Sequence, residues 1–405
     1  MQEAALAPRS TCYCGEVEFG LDGIATTAAW IMHKSMHLDE KLEGHRGMLN
    51  AACLYDLMHR VHRDRFARPM LLADVLGQTG NFRASEPRDY IYALLGMYKV
   101  LSGLDQLPWE LVPDYTKSLG EVYRLATKFA IEEQGRFDVF IDVHLRPLSV
   151  LESTIEPRLP TWVPAWNRSA DDEDLPESFV TTFNAYDDRY TVEMLPSLED
   201  HTLTVKGLVC GTVTRASSLL LMQNEYFEDM LDKLSLLRDM LYSPVANGER
   251  QNDSSFAMTL AAGVGAYREH LEEAVAMQHL EAFVKCMQQG RSLPSLHDLE
   301  RIGSVTTDDT VRSAATFLQA MIAACHNRRF FVTKSGTPGI GSRHMQVNDV
   351  VAVLYGCKWP VVLRPLAEAG HFEVVDIAYV YGIMFGEAVR ERQPLRLDDE
   401  VLTLH

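Results

Sequence analysis

Apolar positions recur at helical spacing through the first third of the chain and again in a later block, with alternating stretches between and after them. A short strand is expected at 10–20, then helices at 24–37 (carrying Trp30, Ile31 and Met32) and 45–66, where Leu54, Leu57, Met58 and Val61 share one side and His59 and His62 the solvent edge. Pro87 suits a first helical position and Asp89 the first turn, followed by Ile91, Leu94 and Leu95 at core-facing spacing, with Gly96 as a stop. Ser118 then heads an amphipathic helix over 118–134. From about 179 to 215 the period changes to two, at 179–182, 190–193 and 203–207, rich in Thr and Val, which predicts strands. Helical spacing returns at 224–243, 267–289 and 308–327. Strands resume at 329–333, 349–355, 359–364 and 374–381.

This order predicts an α+β protein with a mainly helical lobe over 1–168. Residues 169–405 then form a discontinuous antiparallel β unit, with strands in 175–215 and 328–392 and a helical insertion at 222–327. Strands this short need partners from both halves to bury a common face. The polar stretch 246–254 reads as an exposed loop between two helices of the insertion.

Composition narrows the function classes. With 405 residues and 47% hydrophobic content the chain can bury a full core. Its net charge of −18 argues against binding phosphate backbones or anionic lipid surfaces. No run approaches the ~18 apolar residues of a membrane span, and the first thirty residues lack a signal-peptide pattern, so a cytoplasmic protein is expected. The seven cysteines are scattered apart from Cys12 and Cys14, which suits reduced thiols in the core. His33 and His37 lie four apart on a helix but have no Glu or third ligand in view, so neither metal nor cofactor is expected.

Several blocks carry a resemblance. Arg83–Met97 reads Arg-Ala-Ser-Glu-Pro-Arg-Asp-Tyr-Ile-Tyr-Ala-Leu-Leu-Gly-Met, and Val112-Pro113-Asp114-Tyr115 follows, with Ser118, Glu121, Val122 and Tyr123 behind it. Leu159–Trp166 reads Leu-Pro-Thr-Trp-Val-Pro-Ala-Trp. A last block holds Thr333, Gly336, Gly339, Gly341, Asp349, Gly356, Pro360, Leu363-Arg364 and Tyr379-Val380-Tyr381-Gly382-Ile383-Met384. In this order they resemble the fungal heterokaryon-incompatibility (HET) family. Members of that family carry an upstream α/β segment, and Met1–Ala7 resembles the tail of its last block. The resemblance therefore implies a chain that lacks the family's signature half.

No nucleophile elbow, zincin helix, dinucleotide fingerprint or kinase set occurs. Gly336-x-x-Gly339-x-Gly341 sits between two strands with no Gly-Lys-Ser/Thr, which reads as a wide hairpin turn and not a phosphate loop. Arg88 and Asp89, adjacent at a helix start, read as a cap and ion pair before a catalytic dyad. Where the family has His, Tyr381 stands, a neutral hydrogen-bond donor.

Two functions follow as expectations. One is a cofactor-independent cyclase of the Diels–Alderase kind, acting on an apolar terpenoid or polyene intermediate in fungal natural-product biosynthesis. Such chemistry needs a shaped apolar cavity and one hydrogen bond to an activating carbonyl. Tyr381 and Trp162 would then donate, while Tyr379, Met384, Trp166, Tyr92 and Arg88 bind the substrate. The alternative is a non-enzymatic HET-like interaction or regulatory protein, which an apolar surface patch would favour. Homo-oligomer formation fits either.

Overall fold

The computed structural model describes residues 2–34, 45–62, 68–80, 82–145, 159–167, 183–187, 194–195, 201–222, 229–243, 253–266, 269–294, 308–392 and 399–405. The strands expected at 179–182 and 190–193, the loop at 246–252, the side chain of His33 and all of His37 lie outside these residues. The fold is α+β. Its chain divides into two compact units, the first from 1–135, 145–159 and 163–172, the second from 136–144, 160–162 and 173–405.

The first unit is helical apart from one hairpin. Its elements are α1 (Gln2–Leu6), β1 (Thr11–Cys14), β2 (Val17–Gly20), α2 (Leu21–Lys34), α3 (His45–His62), α4 (Leu72–Thr79), α5 (Asp89–Tyr92), α6 (Leu95–Ser102) and α7 (Leu119–Gln134). The single strand expected at 10–20 is a two-stranded hairpin, because Gly15 turns the chain at a φ of 61°. With two strands and no described third, its faces stay open, so the expected core position of Cys14 fails. Cys14 is exposed and Cys12 half-buried.

The segment at Pro87 holds two helices where the sequence suggested one. Backbone bonding breaks at Ala93–Leu94, and Gly96 sits in the first turn of α6 instead of ending a helix. The reason lies in α1. Gln2 Oε1 accepts from the Gly96 and Met97 amides at 3.1 and 3.3 Å, capping α6, and a Cβ at residue 96 would collide with the Gln2 amide. The true stop is Gly103, at a φ of 73°. Helix α7 obeys its sequence signals. Ser118 Oγ accepts from the Glu121 amide at 3.2 Å, and Gly135 ends it in the left-handed region. Glu133 on α7 accepts from the Leu72 amide at 2.7 Å and from the Tyr98 hydroxyl at 2.5 Å, tying α7 to α4 and α6.

The second unit is built around a long strand, β4 (Leu203–Ala216). Its other strands are β3 (Met194–Leu195), β5 (Arg328–Thr333), β6 (Pro338–Ser342), β7 (Val350–Leu354), β8 (Val361–Pro365), β9 (His371–Ile377), β10 (Tyr379–Val380) and β11 (Glu400–Leu404). β4 pairs along its first half with β11, along its middle with β7 and at its end with β5. Since β11 pairs with β9, β9 with β8 and β8 with β7, the order β4-β11-β9-β8-β7 returns to β4 and closes a barrel. Irregularities in β4 at Val209/Gly211 and Val213/Arg215 let it bend from one partner to the next. The expected pairing of strands on either side of the helical insertion is therefore present. The sheet is mixed, however: β9 and β11 run parallel, with Thr403 opposite His371. β7 is buried along its whole length, as its unbroken Val-Val-Ala-Val-Leu run demands.

The glycine-rich stretch corrects another expectation. The turn is short, centred on Gly336, while Gly339 and Gly341 lie inside β6 opposite Phe331 and Arg329. A Cβ at Gly339 would strike the Phe331 ring, and one at Gly341 the Met345 methyl. These glycines make room for Phe331 and Met345 in the barrel core, beside Val213, Val351, Val362 and Val380.

The insertion carries α8 (Met230–Tyr242), α9 (Asp253–Leu260), α10 (Glu273–Gln288) and α11 (Asp309–Cys325), and α12 (Glu387–Arg392) follows β10. Ser254 belongs to α9 and not to a loop, because Phe256, Ala257 and Leu260 are buried and hold that helix down.

Candidate functional site

β9 leads through Ala378 into β10, whose Tyr379 and Val380 pair with Ile340 and Gly339 of β6. Tyr379 and Val380 are both buried, and the strand ends at Val380, so that Tyr381 leaves the sheet half-buried. Tyr379 is buried beside Phe183, with ring centroids 6.1 Å apart, and its ring lies against Gly263. Burial pushes its hydroxyl far above the usual tyrosine value. Met384 is buried too, and its sulfur accepts from the Val380 amide at 3.3 Å.

Tyr381 reaches the helical insertion. Its hydroxyl donates to Glu273 Oε1 at 2.6 Å, and Ser254 Oγ donates to the other carboxylate oxygen at 2.7 Å. These two hydrogen bonds hold the Glu273 carboxyl below the ordinary glutamate range, Tyr381 contributing most. Desolvation and the adjoining carboxylate push the Tyr381 phenol up. The pair is a neutral phenol on an ionised carboxylate, a clamp from the barrel to the first residue of α10. A folded-state pKa below the unfolded one stabilises above pH 4.5, and the benefit fades as pH falls through the folded value. Tyr381→Phe should therefore cost about 0.5–1.5 kcal/mol near neutrality, with the gap to wild type closing in melts taken well below pH 4.5. An equal gap at every pH would mean that the ring alone carries the effect.

The other expected site residues are also engaged within the protein. Trp162 belongs to the second unit, is buried, and donates its indole N–H to the His201 carbonyl at 3.2 Å. Its neighbour Thr161 is bound to the end of β11, since its amide donates to the His405 carbonyl at 2.7 Å. Trp166, Tyr92 and Arg88 belong to the first unit. The Trp166 indole donates to Thr127 Oγ1 at 3.2 Å and the Tyr92 hydroxyl to the Asp114 carbonyl at 3.0 Å. Arg88 pairs with Glu86 at 2.7 Å and donates to the Tyr115 and Lys117 carbonyls at 2.5 and 3.1 Å, while Tyr115 donates to Asp89 at 2.6 Å. Arg88 and Asp89 thus fix the 114–118 turn ahead of α7. Among the described residues no group of three or more His, Cys, Asp or Glu side chains is placed to hold a metal ion.

Three clefts are described, and none is lined by these seven residues. One of about 490 Å³ lies among α8, α9 and α10. One of about 110 Å³ lies beside Gln2, Thr79 and Leu94. A wide groove of about 630 Å³ lies along the hairpin and α2, lined by Phe19, Ile24, Ala28, Ile31 and Met48. Elsewhere on β2 and α2, Val17 and Trp30 stand out to solvent at 62% and 60% exposure. The lining of the first cleft was readable as a second apolar stripe on two helices, Leu231 on α8 and Met277 and Val284 on α10. A stripe does not announce whether its helix is covered.

Residues 248–395 match the model of the Het-6 beta-barrel domain. That match is consistent with a HET-related protein. The Het-6 match spans α9–α12 and β5–β10, whereas β4 and β11, which close the barrel, lie outside it. No curated protein and no solved structure matches the chain. Two HET-block residues acquire a physical role in the barrel. Arg364 Nε and Nη2 grip the two oxygens of buried Asp349 at 2.9 and 3.0 Å, pinning β7 to β8.

Proposed function

We propose that this HET-related protein is a non-enzymatic interaction or regulatory partner that docks other HET-family proteins through the apolar face of its first unit. The observation behind this reading is the open groove along α2, walled by Phe19, Ile24 and Ile31, in a unit that also exposes Val17 and Trp30. Exposed apolar surface of this kind marks protein contacts more often than chance. A cytoplasmic setting belongs to the proposal; among the described residues, no helix is long and apolar enough to cross a membrane. The test is direct binding between the purified chain and purified HET-domain proteins of the same host. Ile24→Glu should weaken such binding at least tenfold at unchanged melting temperature. Binding that ignores the substitution, or no binding to any of them, would sink the reading.

A second reading, the cofactor-independent cyclase acting on an apolar terpenoid or polyene, draws support from the 490 Å³ cleft in the insertion, a size suited to such a substrate. In that reading the donors would be the polar groups at the cleft rim, because the Tyr381 hydroxyl and the Trp162 indole already serve Glu273 and the His201 carbonyl. Turnover of a candidate polyene by wild type but not by a cleft-filled variant would establish it.

A further inference from the structure

We infer that the cleft among α8, α9 and α10 is a binding site for a small apolar molecule carrying one hydrogen-bond-accepting end, a carboxylate or carbonyl. The inference stands whether or not the protein is catalytic, since it concerns binding alone.

The cleft is built in three parts. Its floor is apolar and fixed: Leu234, Phe256 and Leu280 are buried, and Phe256 packs edge-on against Phe330 of β5, with centroids 5.9 Å apart. Its walls are Leu231 of α8 and Met277 and Val284 of α10, each only part-buried. These are apolar side chains left in water at the bottom of a concavity, an arrangement that a ligand of matching shape relieves. At about 490 Å³ the cleft lies within the range that small-molecule sites occupy.

The third part is a polar rim with a directed donor. Arg238 Nη2 donates to both oxygens of Asp253, at 2.7 and 2.9 Å, and the Tyr242 hydroxyl donates to the same carboxylate at 2.6 Å. Those bonds link α8 to the start of α9 and hold the guanidinium at the edge of the cleft. They occupy one of its three nitrogens. A guanidinium carries five N–H donors, so an acceptor on a ligand seated over Phe256 can bond to Arg238 without displacing Asp253. Lys285 adds a second cation at the rim, and Asp253 and Glu281 add two carboxylates, so the rim carries no net charge and selects through the directed N–H groups of Arg238. An acceptor head on Arg238 and an apolar body over an aromatic floor define the ligand class.

The probes are dodecanoate and dodecanol, titrated into the full chain labelled with 13C at its methionine methyls, the Met277 signal being assigned by Met277→Leu. Dodecanoate should bind saturably and move the Met277 resonance. Dodecanol should bind at least fivefold more weakly, and Arg238→Gln should remove that preference. Val284→Trp, which fills the cleft from a part-buried position, should lower dodecanoate affinity at least tenfold at unchanged melting temperature. Should that variant melt early, the Met277 shift in wild type still decides the matter. An unmoved Met277 resonance would overturn the proposal. So would binding that survives Val284→Trp but is lost in Ile24→Glu, because it would place the ligand in the α2 groove. Loss of partner binding with Ile24→Glu while dodecanoate binding persists separates this site from the docking face.

Discussion

Asp349→Ala is expected to destabilise the second unit by about 3–5 kcal/mol, the range found when one partner of a buried ion pair is removed. The carboxylate is almost fully buried and saturated. It accepts both prongs of the Arg364 guanidinium and also the Gln346 amide at 2.7 Å. Removing it leaves Arg364 facing the barrel with one remaining acceptor, the His344 carbonyl at 2.9 Å. It also frees the turn that places Asn348 against β4, where the Asn348 amide bonds the Val213 carbonyl at 2.9 Å. Arg364→Lys should cost less than Asp349→Ala, because an ammonium keeps a charge opposite Asp349 but not the two-pronged fit. Equilibrium denaturation followed by circular dichroism reads both variants. A cost under about 1 kcal/mol for Asp349→Ala would mean that the pair is solvated and holds little.

Leu94→Ala carries the second large expected loss, about 2–5 kcal/mol. Leu94 is 6% exposed, at the junction where α5 gives way to α6. Two effects compete there. Truncation removes buried methyl groups, but the side chain borders the hollow of about 110 Å³ beside Gln2 and Thr79, so the new void joins an existing one. Water can enter a joined, partly polar hollow more readily than a sealed apolar void, which places the expected value in the lower half of the range. Ile91→Val at the neighbouring core position, which is 1% exposed, is the control, with about 0.5–1.5 kcal/mol expected. If thermal melts leave Leu94→Ala unchanged, the wrong face of this segment has been assigned to the core.

The elements legible in the sequence are those whose signals are local. Ser118, Glu121 and Gly135 punctuate α7 by themselves, and the alternation at the start of β4 needed no partner to be read. What escaped depends on contacts between distant residues. Gly96 looked like a helix stop, and only Gln2, far off in sequence, makes it a packing glycine. Gly339 and Gly341 looked like a turn until Phe331 and Met345 were seen to occupy the space above them. β11 has the alternation of a strand, with Leu402 and Leu404 inward, but its parallel pairing with β9 has no local signature. The candidate site was hardest to read for the same reason. Tyr381 is a donor by chemistry, but the acceptor it meets, Glu273, sits on a helix that no local signal places beside β10.

Barrel closure by β4 and β11 has a consequence for how the protein is made. During synthesis the ribosome releases β4 long before β11, and the helices of the insertion emerge between them. Those helices rely on local contacts and can form early, whereas the β4–β11 seam must wait for one of the most distant pairings in the chain. Until then the first half of β4 lacks its β11 partner, and an edge left open in this way is a template for pairing with another nascent chain. Yield in a cell is thus governed by the time between the appearance of β4 and the arrival of β11. Slower elongation across the insertion, or an early stop before Glu400, should favour inclusion bodies over folded protein even though every helix is intact.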